Sequence, residues 1–536
     1  MNLSIAPEAI YILSALKRAG FEGYIVGGAV RDMILGQTRV TDYDFTTNAT
    51  PEQILATFPD GFYENQFGTV MVKPEDIRQS IGLKEFTDDP SGQDNNSNRI
   101  IDIAAATKIH VSLKAQVSQS TPEYSRATTE RNLEITTFRS DGTYEDHRRP
   151  NSVIWGTSLE QDLERRDFSI NALAIQVHDT ILDTDITKLI SPSSNLIPLT
   201  EADVTIIDNH GGIKDLASGI LRTVGDPTAR FTEDSLRMLR AIRIAVQLHM
   251  SIDQDTYTAL AALAPLITHV SWERIRDELL KMLASPDPKA AILLMEDTGI
   301  LPHILPEILE GKGVMQAGHH TTDVWQHSID ALEACPSSDP IVRLATLLHD
   351  VAKPRTHQLQ NGKPTFYNHE IVGSRMARSI AQRLKLSKAE QDRIFTLVRF
   401  HMFHYQPQNT DASIRRFMRK VGLVNVDDIL DLREADRLGS GARKTSWRLE
   451  EMKQRMIEQL HQPMEVTDVA INGSDLMSEL NLLPGPILGE LLKMLLEHVL
   501  ETPEDNHREK LLQIARDYLE RRSQNNSSGT AVNVDE

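Results

Sequence analysis

Three groups of residues have the types and spacing that chemistry requires. The first is Thr41-Asp42-Tyr43-Asp44-Phe45. Side chains alternate along a strand, so Asp42 and Asp44 share one face while Tyr43 and Phe45 point to the other. Two neighbouring carboxylates repel each other unless cations lie between them, and an all-oxygen ligand set selects hard ions such as Mg²⁺, which recruit phosphates. Two such ions can activate a hydroxyl and neutralise a triphosphate leaving group. Alone, such a pair more often marks a solvated strand edge. Its surroundings favour the first meaning. Gly27-Gly28 ends a strand and opens a helix carrying Arg31, which offers N–H groups to a triphosphate. Glu134, on a later strand, can add a third carboxylate, and Arg165-Arg166 is either a surface basic pair or, beside a metal-bound triphosphate, the paired fork that phosphates require.

The second group lies in GDPTARFTEDSLRMLRAIRIAVQL (225–248), which reads as one long amphipathic helix. Thr232 is the expected N-cap, and Leu236, Leu239 and Ile242 form the buried stripe. Asp234 and Arg237 are three apart and share a face, a spacing that on its own most often means a surface ion pair. The third group is His349-Asp350 at the end of an apolar helix (RLATLLHDVAKP), with His327 upstream and Asp436 downstream. A lone buried histidine is usually a core residue. Four such groups together could hold Mn²⁺, Ni²⁺, Fe²⁺ or Mg²⁺, and a metal there generates hydroxide for phosphomonoester or cyclic phosphodiester hydrolysis.

YIVGGAVRDMILG followed by TDYDF, then TTFRSDGTYEDHRRP and DLERRDFSINALA, resembles the head of class II tRNA nucleotidyltransferases and bacterial poly(A) polymerases, within the DNA polymerase β superfamily. The resemblance runs from about residue 21 to 520, with the tail INGSDLMSELNLLPGPILGELLKMLLEHVLE included. It implies that Asp42 and Asp44 are catalytic Mg²⁺ ligands with Glu134 beside them. It further implies that Asp162, Arg165, Arg166, Asp167 and Asn171 contact nucleotide sugar and phosphate, with Gly27, Gly28, Arg31 and Arg240 in the same nucleotide-binding set. Glu233-Asp234-x-x-Arg237 stands where the family carries its amino-acid template. Cytosine and adenine both present an exocyclic amine beside an unprotonated ring nitrogen, so a carboxylate and a guanidinium serve both, whereas uracil and guanine would leave unpaired polar groups. The histidine group resembles the HD phosphohydrolase superfamily, in which His369 and His401 match positions that hold a second metal in some members.

These groups need scaffolds to position them. The 536 residues suggest three or four domains at roughly 150 residues each. Alternating strands and helices over 24–73 give way to mostly helical periodicity, so the expected class is α+β and multidomain: a small mixed-sheet head followed by an all-α remainder. The expected divisions are a head over 1–180 with an insertion at about 74–132 and a neck over 181–270 with an insertion at about 182–205. A helical body over 271–315, an HD domain over 316–450, a helical tail over 451–522 and an unordered 523–536 follow.

No apolar run approaches a membrane span, the N-terminus lacks a signal-peptide pattern, and the single cysteine, Cys335, suits a reducing compartment. A soluble cytoplasmic protein is expected. A net charge of −19 disfavours loose attraction to polyanions, so RNA must be met by local cations. Arg415, Arg416, Arg419 and Lys420 are the leading candidates, with Arg443, Lys444 and Arg448 next, although such runs also fit solvated helix faces. The expected partners are a tRNA acceptor arm, CTP and ATP, and the expected activity is template-independent CMP and AMP addition to tRNA 3′ ends. Poly(A) synthesis and addition of only CC or only A share these motifs. A phosphohydrolase, or a non-catalytic tRNA-binding factor, are the alternatives of other classes.

Overall fold

The computed structural model describes residues 3–37, 40, 42–63, 69–82, 132–141, 153–155, 158–191, 195–316 and 322–528. They fall into two compact units: the chain up to 309 together with 383–386, and residues 310–382 with the chain from 387 onward.

The first unit contains a seven-stranded sheet. Its strands, in chain order, are β1 (Gly23–Val26), β2 (Asp44–Thr47), β3 (Phe62–Tyr63), β4 (Thr69–Val72), β5 (Leu133–Thr137), β6 (Leu173–Val177) and β7 (Val204–Asp208). The spatial order is β7-β6-β1-β2-β5-β4-β3. Every pairing is antiparallel except β2 with β5, which runs parallel with Asp44 opposite Glu134. A parallel pair needs a crossover, and the chain between these strands supplies helix Pro51–Thr57, β3, β4 and helix Pro74–Ser80. Thr50 and Gln53 start the first of these helices by a reciprocal capping box. Leu159 and Leu163 pack with Tyr24, Val26, Phe138 and Ala174. Each such buried side chain stabilises by roughly 1.5–3 kcal/mol, which fixes the short helix Leu159–Glu164 and the arginines that follow it.

Three stretches hold more regular structure, or break it differently, than their sequence suggests. Residues 182–205, expected as a polar insertion, hold regular elements: helix Ile186–Leu189, strand Ile197–Leu199 paired with Leu3–Ile5, and the start of β7. Their polar text conceals the pattern because Pro198 and Thr205 face outward while Ile197, Leu199 and Val204 are buried. The stretch expected to be irregular from 74 opens with helix Pro74–Ser80, anchored by Ile77; residues 83–131 lie outside the described residues. The expected long helix is two, Pro227–Glu233 and Leu236–Gln247, separated by Asp234 in extended conformation. Asp226 caps the first of these, and Thr232 sits inside it, its hydroxyl donating to the Thr228 carbonyl.

The second unit is helical. Val324–Ala334, Pro340–Leu348, Lys388–Phe400 and Val426–Gly439 pack on one another. Gly439 is required where two of them meet: a Cβ there would lie 2.6 Å from the Ala331 nitrogen. Further on, Asp411–Val421 packs against Trp447–Gln459 and Pro486–Glu501. The last helix, Arg508–Ser528, carries order to 528, beyond the expected limit of 522. No helix among the described residues is long and apolar enough to cross a membrane.

Candidate functional site

Strand alternation in the head begins just before β2. Tyr43 and Phe45 are buried and stacked with ring centroids 6.3 Å apart, and the Tyr43 hydroxyl accepts from the Ala6 N–H. Asp42 and Asp44 therefore face the other side, and the parallel register puts Glu134 beside Asp44 on that side. Burial pushes the Asp44 carboxyl up to about 6; Arg166 pulls it down and Asp42 pushes it up further. A half-buried carboxylate beside a second carboxylate favours a nearby cation, so this donor set fits divalent ions. Gly27 closes the opposite wall. Its φ of 76° suits glycine, and a Cβ would lie 3.0 Å from Arg166 Nη1 and 3.3 Å from Asp44 Oδ2.

The arginines around this wall are held by buried carboxylates. Asp162 is fully buried and accepts from Arg165 at 2.7 and 3.0 Å and from Arg166 at 3.2 Å. Burial alone would raise its carboxyl, but the two guanidinia hold it below the usual range. Asp167 is buried likewise, accepting from Arg240 Nε at 2.6 Å, the Phe168 N–H at 3.0 Å and Asn171 Nδ2 at 3.3 Å. Its carboxyl, too, is lowered against the effect of burial by Arg240 and Arg237. Asp162 and Asp167, expected as nucleotide contacts, hold the arginines beside them in place. Arg31 bonds Asn171 at 2.9 Å and Asp32 at 2.8 Å, tying the Gly27-Gly28 turn to this segment.

Asp234 and Arg237 do not pair with each other. Arg274, on helix Trp272–Leu283, donates to both Asp234 oxygens at 3.1 and 2.6 Å. Arg237 donates to Glu233 at 2.7 Å and to the Arg165 carbonyl at 3.1 Å. Breaking the helix at Asp234 is what turns its carboxylate away from the ladder and toward Arg274. The sequence offered no signal for Arg274, since nothing in Ser-Trp-Glu-Arg marks a long-range partner.

The second unit brings together all six predicted metal ligands. His327, His349 and Asp436 form one triad and Asp350, His369 and His401 another, with ligand atoms inside each lying within 4.8 Å of one another. Asp350 joins them. Its Oδ2 is 3.3 Å from His327 Nε2 and 3.2 Å from His349 Nε2, while its Oδ1 is 3.4 Å from His369 Nε2 and 3.7 Å from His401 Nε2. Three of the rings are oriented alike: Nδ1 of His349, His369 and His401 donates to the carbonyls of Thr346, Phe366 and Val398, each three residues earlier. That fixes the tautomer and leaves Nε2 free as a ligand. Burial alone would lower His349, but Asp350 and Asp436 push it up to about 10, and His327 is raised by the same two carboxylates. Protons thus gather where the carboxylates call for positive charge, so the donor set fits one or two metal ions. The Gly439–Ala331 approach lies one turn from both Asp436 and His327 and brings them within 3.3 Å. Lys353, which the sequence had not marked, sits 2.6 Å from Asp350 Oδ2 and bonds Gln316.

The predicted RNA-binding run is largely spoken for. Arg415 is buried and donates to Gln459 and the Leu500 carbonyl. Arg416 pairs with Glu497 and Glu501, and Arg419 with Glu497. Lys420 is exposed.

A mixed sheet with acidic residues on its one parallel pair, walled by supported arginines and followed by helices, defines a nucleotidyltransferase. Residues 23–98 and 100–188 match the poly A polymerase head domain, 249–311 match the "Probable RNA and SrmB-binding site of polymerase A", and 368–515 match tRNA nucleotidyltransferase domain 2. The A-adding tRNA nucleotidyltransferase of Deinococcus radiodurans is 34% identical over 355 residues, 63% of this chain and 75% of that protein. The CCA-adding enzyme of Ligilactobacillus salivarius is 29% identical over 519 residues, 96% of each chain. Two Geobacillus CCA-adding enzymes are 34% and 33% identical, with only 55% and 54% of their lengths matched. The crystal structure of the Bacillus stearothermophilus CCA-adding enzyme in complex with CTP shares the fold, with a TM-score of 0.61, 24% identity and coverage of 97% and 98%. The chain belongs to the tRNA nucleotidyltransferase and poly(A) polymerase family, and membership implies dependence on divalent metal.

Proposed function

We propose that this protein adds CMP and AMP to tRNA 3′ ends to build or repair CCA without a nucleic-acid template. The observation that carries this is the conjunction of Asp42, Asp44 and Glu134 on one face with an Asp234 and Arg237 pair held apart by separate partners. Asp42, Asp44 and Glu134 would hold Mg²⁺, which, when bound, lowers the pKa of the attacking hydroxyl and neutralises the leaving pyrophosphate. Arg166, Arg165 and Arg31 bind the triphosphate, their forks oriented by Asp162, Asp32 and Asn171. Asp234 accepts from the exocyclic amine of cytosine or adenine, and Arg237 donates to the adjacent ring nitrogen. Fixed by Arg274 and Glu233, neither can turn to suit uracil or guanine without leaving polar groups unpaired. The RNA 3′-hydroxyl attacks the α-phosphate and pyrophosphate departs.

Incubating the protein with Mg²⁺, CTP and ATP and tRNA ending before CCA, before the final A, or complete, tests this beside Asp42→Ala. Ordered addition of C, C and A that then stops is expected. Addition of A only, as the Deinococcus relative's name would suggest, or unlimited A addition, would reassign it within the family.

The two triads bridged by Asp350 favour a second activity, metal-dependent phosphohydrolysis. Hydrolysis of a phosphomonoester or cyclic phosphodiester with added Mn²⁺ or Ni²⁺, abolished in His349→Ala but intact in Asp42→Ala, would establish it. Equal activity in His349→Ala would exclude it.

A further inference from the structure

The described chain displays one indole ring to solvent amid cations without ion pairs. Trp447, at the first position of helix Trp447–Gln459, is 62% exposed, whereas Trp325 is 7% exposed. The Arg448 guanidinium lies 5.3 Å from its ring centroid. Arg443 is exposed, and neither Arg443 nor Arg448 makes an ion pair among the described residues; Lys444 is committed to Glu434 at 2.8 Å. The loop that presents these groups is already built. Arg437 donates to the Arg443 and Thr445 carbonyls, Ser446 caps the helix by accepting from the Leu449 N–H, and the Thr445 hydroxyl bonds Glu450.

We propose that residues 443–448 form an RNA-stacking site, in which an unpaired base of the RNA substrate lies on Trp447 and its flanking phosphates meet Arg443 and Arg448. The inference rests on the reading of the protein as acting on tRNA, and it says where in the second unit the RNA is gripped. An exposed indole flanked by guanidinia is the combination that binds unstacked nucleotides: every base has a π-face, and the cations track the backbone. With a net charge of −19 the chain has no general attraction for RNA, and the arginines at 416 and 419 are neutralised by Glu497 and Glu501. Free guanidinia beside an aromatic platform are therefore where RNA gains most from a local contact. The preformed loop lowers the ordering cost of that contact.

The test is direct binding of tRNA lacking CCA by the full-length protein, titrated at several salt concentrations, alongside the KM for CTP. Trp447→Ala should raise the tRNA Kd about tenfold, and Trp447→Phe should recover most of that loss because a ring is retained. The double variant Arg443→Glu/Arg448→Glu, which keeps the Trp447 ring, should flatten the log–log salt dependence by about 0.7 for each single-stranded phosphate that the protein no longer neutralises. The KM for CTP should stay within twofold throughout. A Kd within twofold of wild type in both Trp447→Ala and the double variant overturns the proposal and leaves the surface to a protein partner. Equal losses in the Ala and Phe variants overturn stacking. Wild-type protein that binds tRNA but incorporates no nucleotide would sink the nucleotide-addition reading while this comparison stays readable, and wild-type protein that does not bind tRNA overturns both.

Discussion

The head and the helical histidine–aspartate cluster both gather carboxylates and nitrogen bases or cations, but they assemble them by different means. In the head, strand alternation and a parallel register put Asp42, Asp44 and Glu134 on one face, and the arginines are held by the buried Asp162 and Asp167. In the helical unit six candidate ligands from several helices converge, and most are buried: His327 is 0% exposed and His349 and Asp350 are 1% exposed. A half-open site can admit a large charged substrate and release it. A closed imidazole and carboxylate cluster instead retains metal, because water cannot replace its ligands cheaply. Similar residue types are thus laid out as a half-open sheet face in one unit and as a buried cluster in the other.

The largest effect that could break this contrast comes from the head carboxylates. Asp42→Ala or Asp44→Ala should lower nucleotide incorporation by at least about a thousandfold while leaving metal bound in the helical unit, as elemental analysis would show. If either variant lost that metal too, the two sites would not be independent. Next, Asp350→Ala removes the group facing both triads, so metal content of the helical centre should fall to near zero while incorporation stays within about threefold of wild type. A retained full metal complement would mean that the triads do not share Asp350.

A smaller effect is expected at Arg274. Arg274→Ala frees Asp234 to turn, so discrimination of CTP and ATP against UTP and GTP should fall about tenfold to a hundredfold, with partial recovery in Arg274→Lys. Unchanged selectivity would make this arginine a packing residue only. The smallest effect is on stability. Burial raises the Asp44 carboxyl from 3.8 to about 6 in the folded chain, so folded protein loses stability as pH rises from about 4 through about 6. Asp44→Asn removes that loss and, in EDTA, should stabilise the protein by about 3 kcal/mol at pH 8. The gain should vanish below pH 4, where both chains are uncharged at this position. A constant gain across the pH range would assign it to packing.

Local pattern made much of this legible in advance. Asp42 and Asp44 are two apart, so any strand would put them on one face, and His349-Asp350 at the end of an apolar helix marked itself by the cost of burying such a pair without a ligand. The mixed-sheet head and helical remainder followed from the change in hydrophobic period. The segment 182–205 misled because its strands are short and edge-like, with polar outward residues diluting a two-residue alternation. Thr232 misled because a hydroxyl four residues after another carbonyl can bond back inside a helix as readily as it caps one. Arg415 misled because charge in sequence says nothing about burial, and here its guanidinium is spent on the Leu500 carbonyl and Gln459.

Sequence by itself determined which residues are chemically able to act, because residue type and spacing on one element are local properties. Tertiary structure alone decided who holds whom. Asp44 meets Glu134 across ninety residues, Asp234 meets Arg274 across forty, and His327 meets Asp436 because Gly439 lets two helices touch. Such pairings depend on register, on a helix break and on a missing Cβ. Their energies come from groups distant in the chain, and no period along the chain records them.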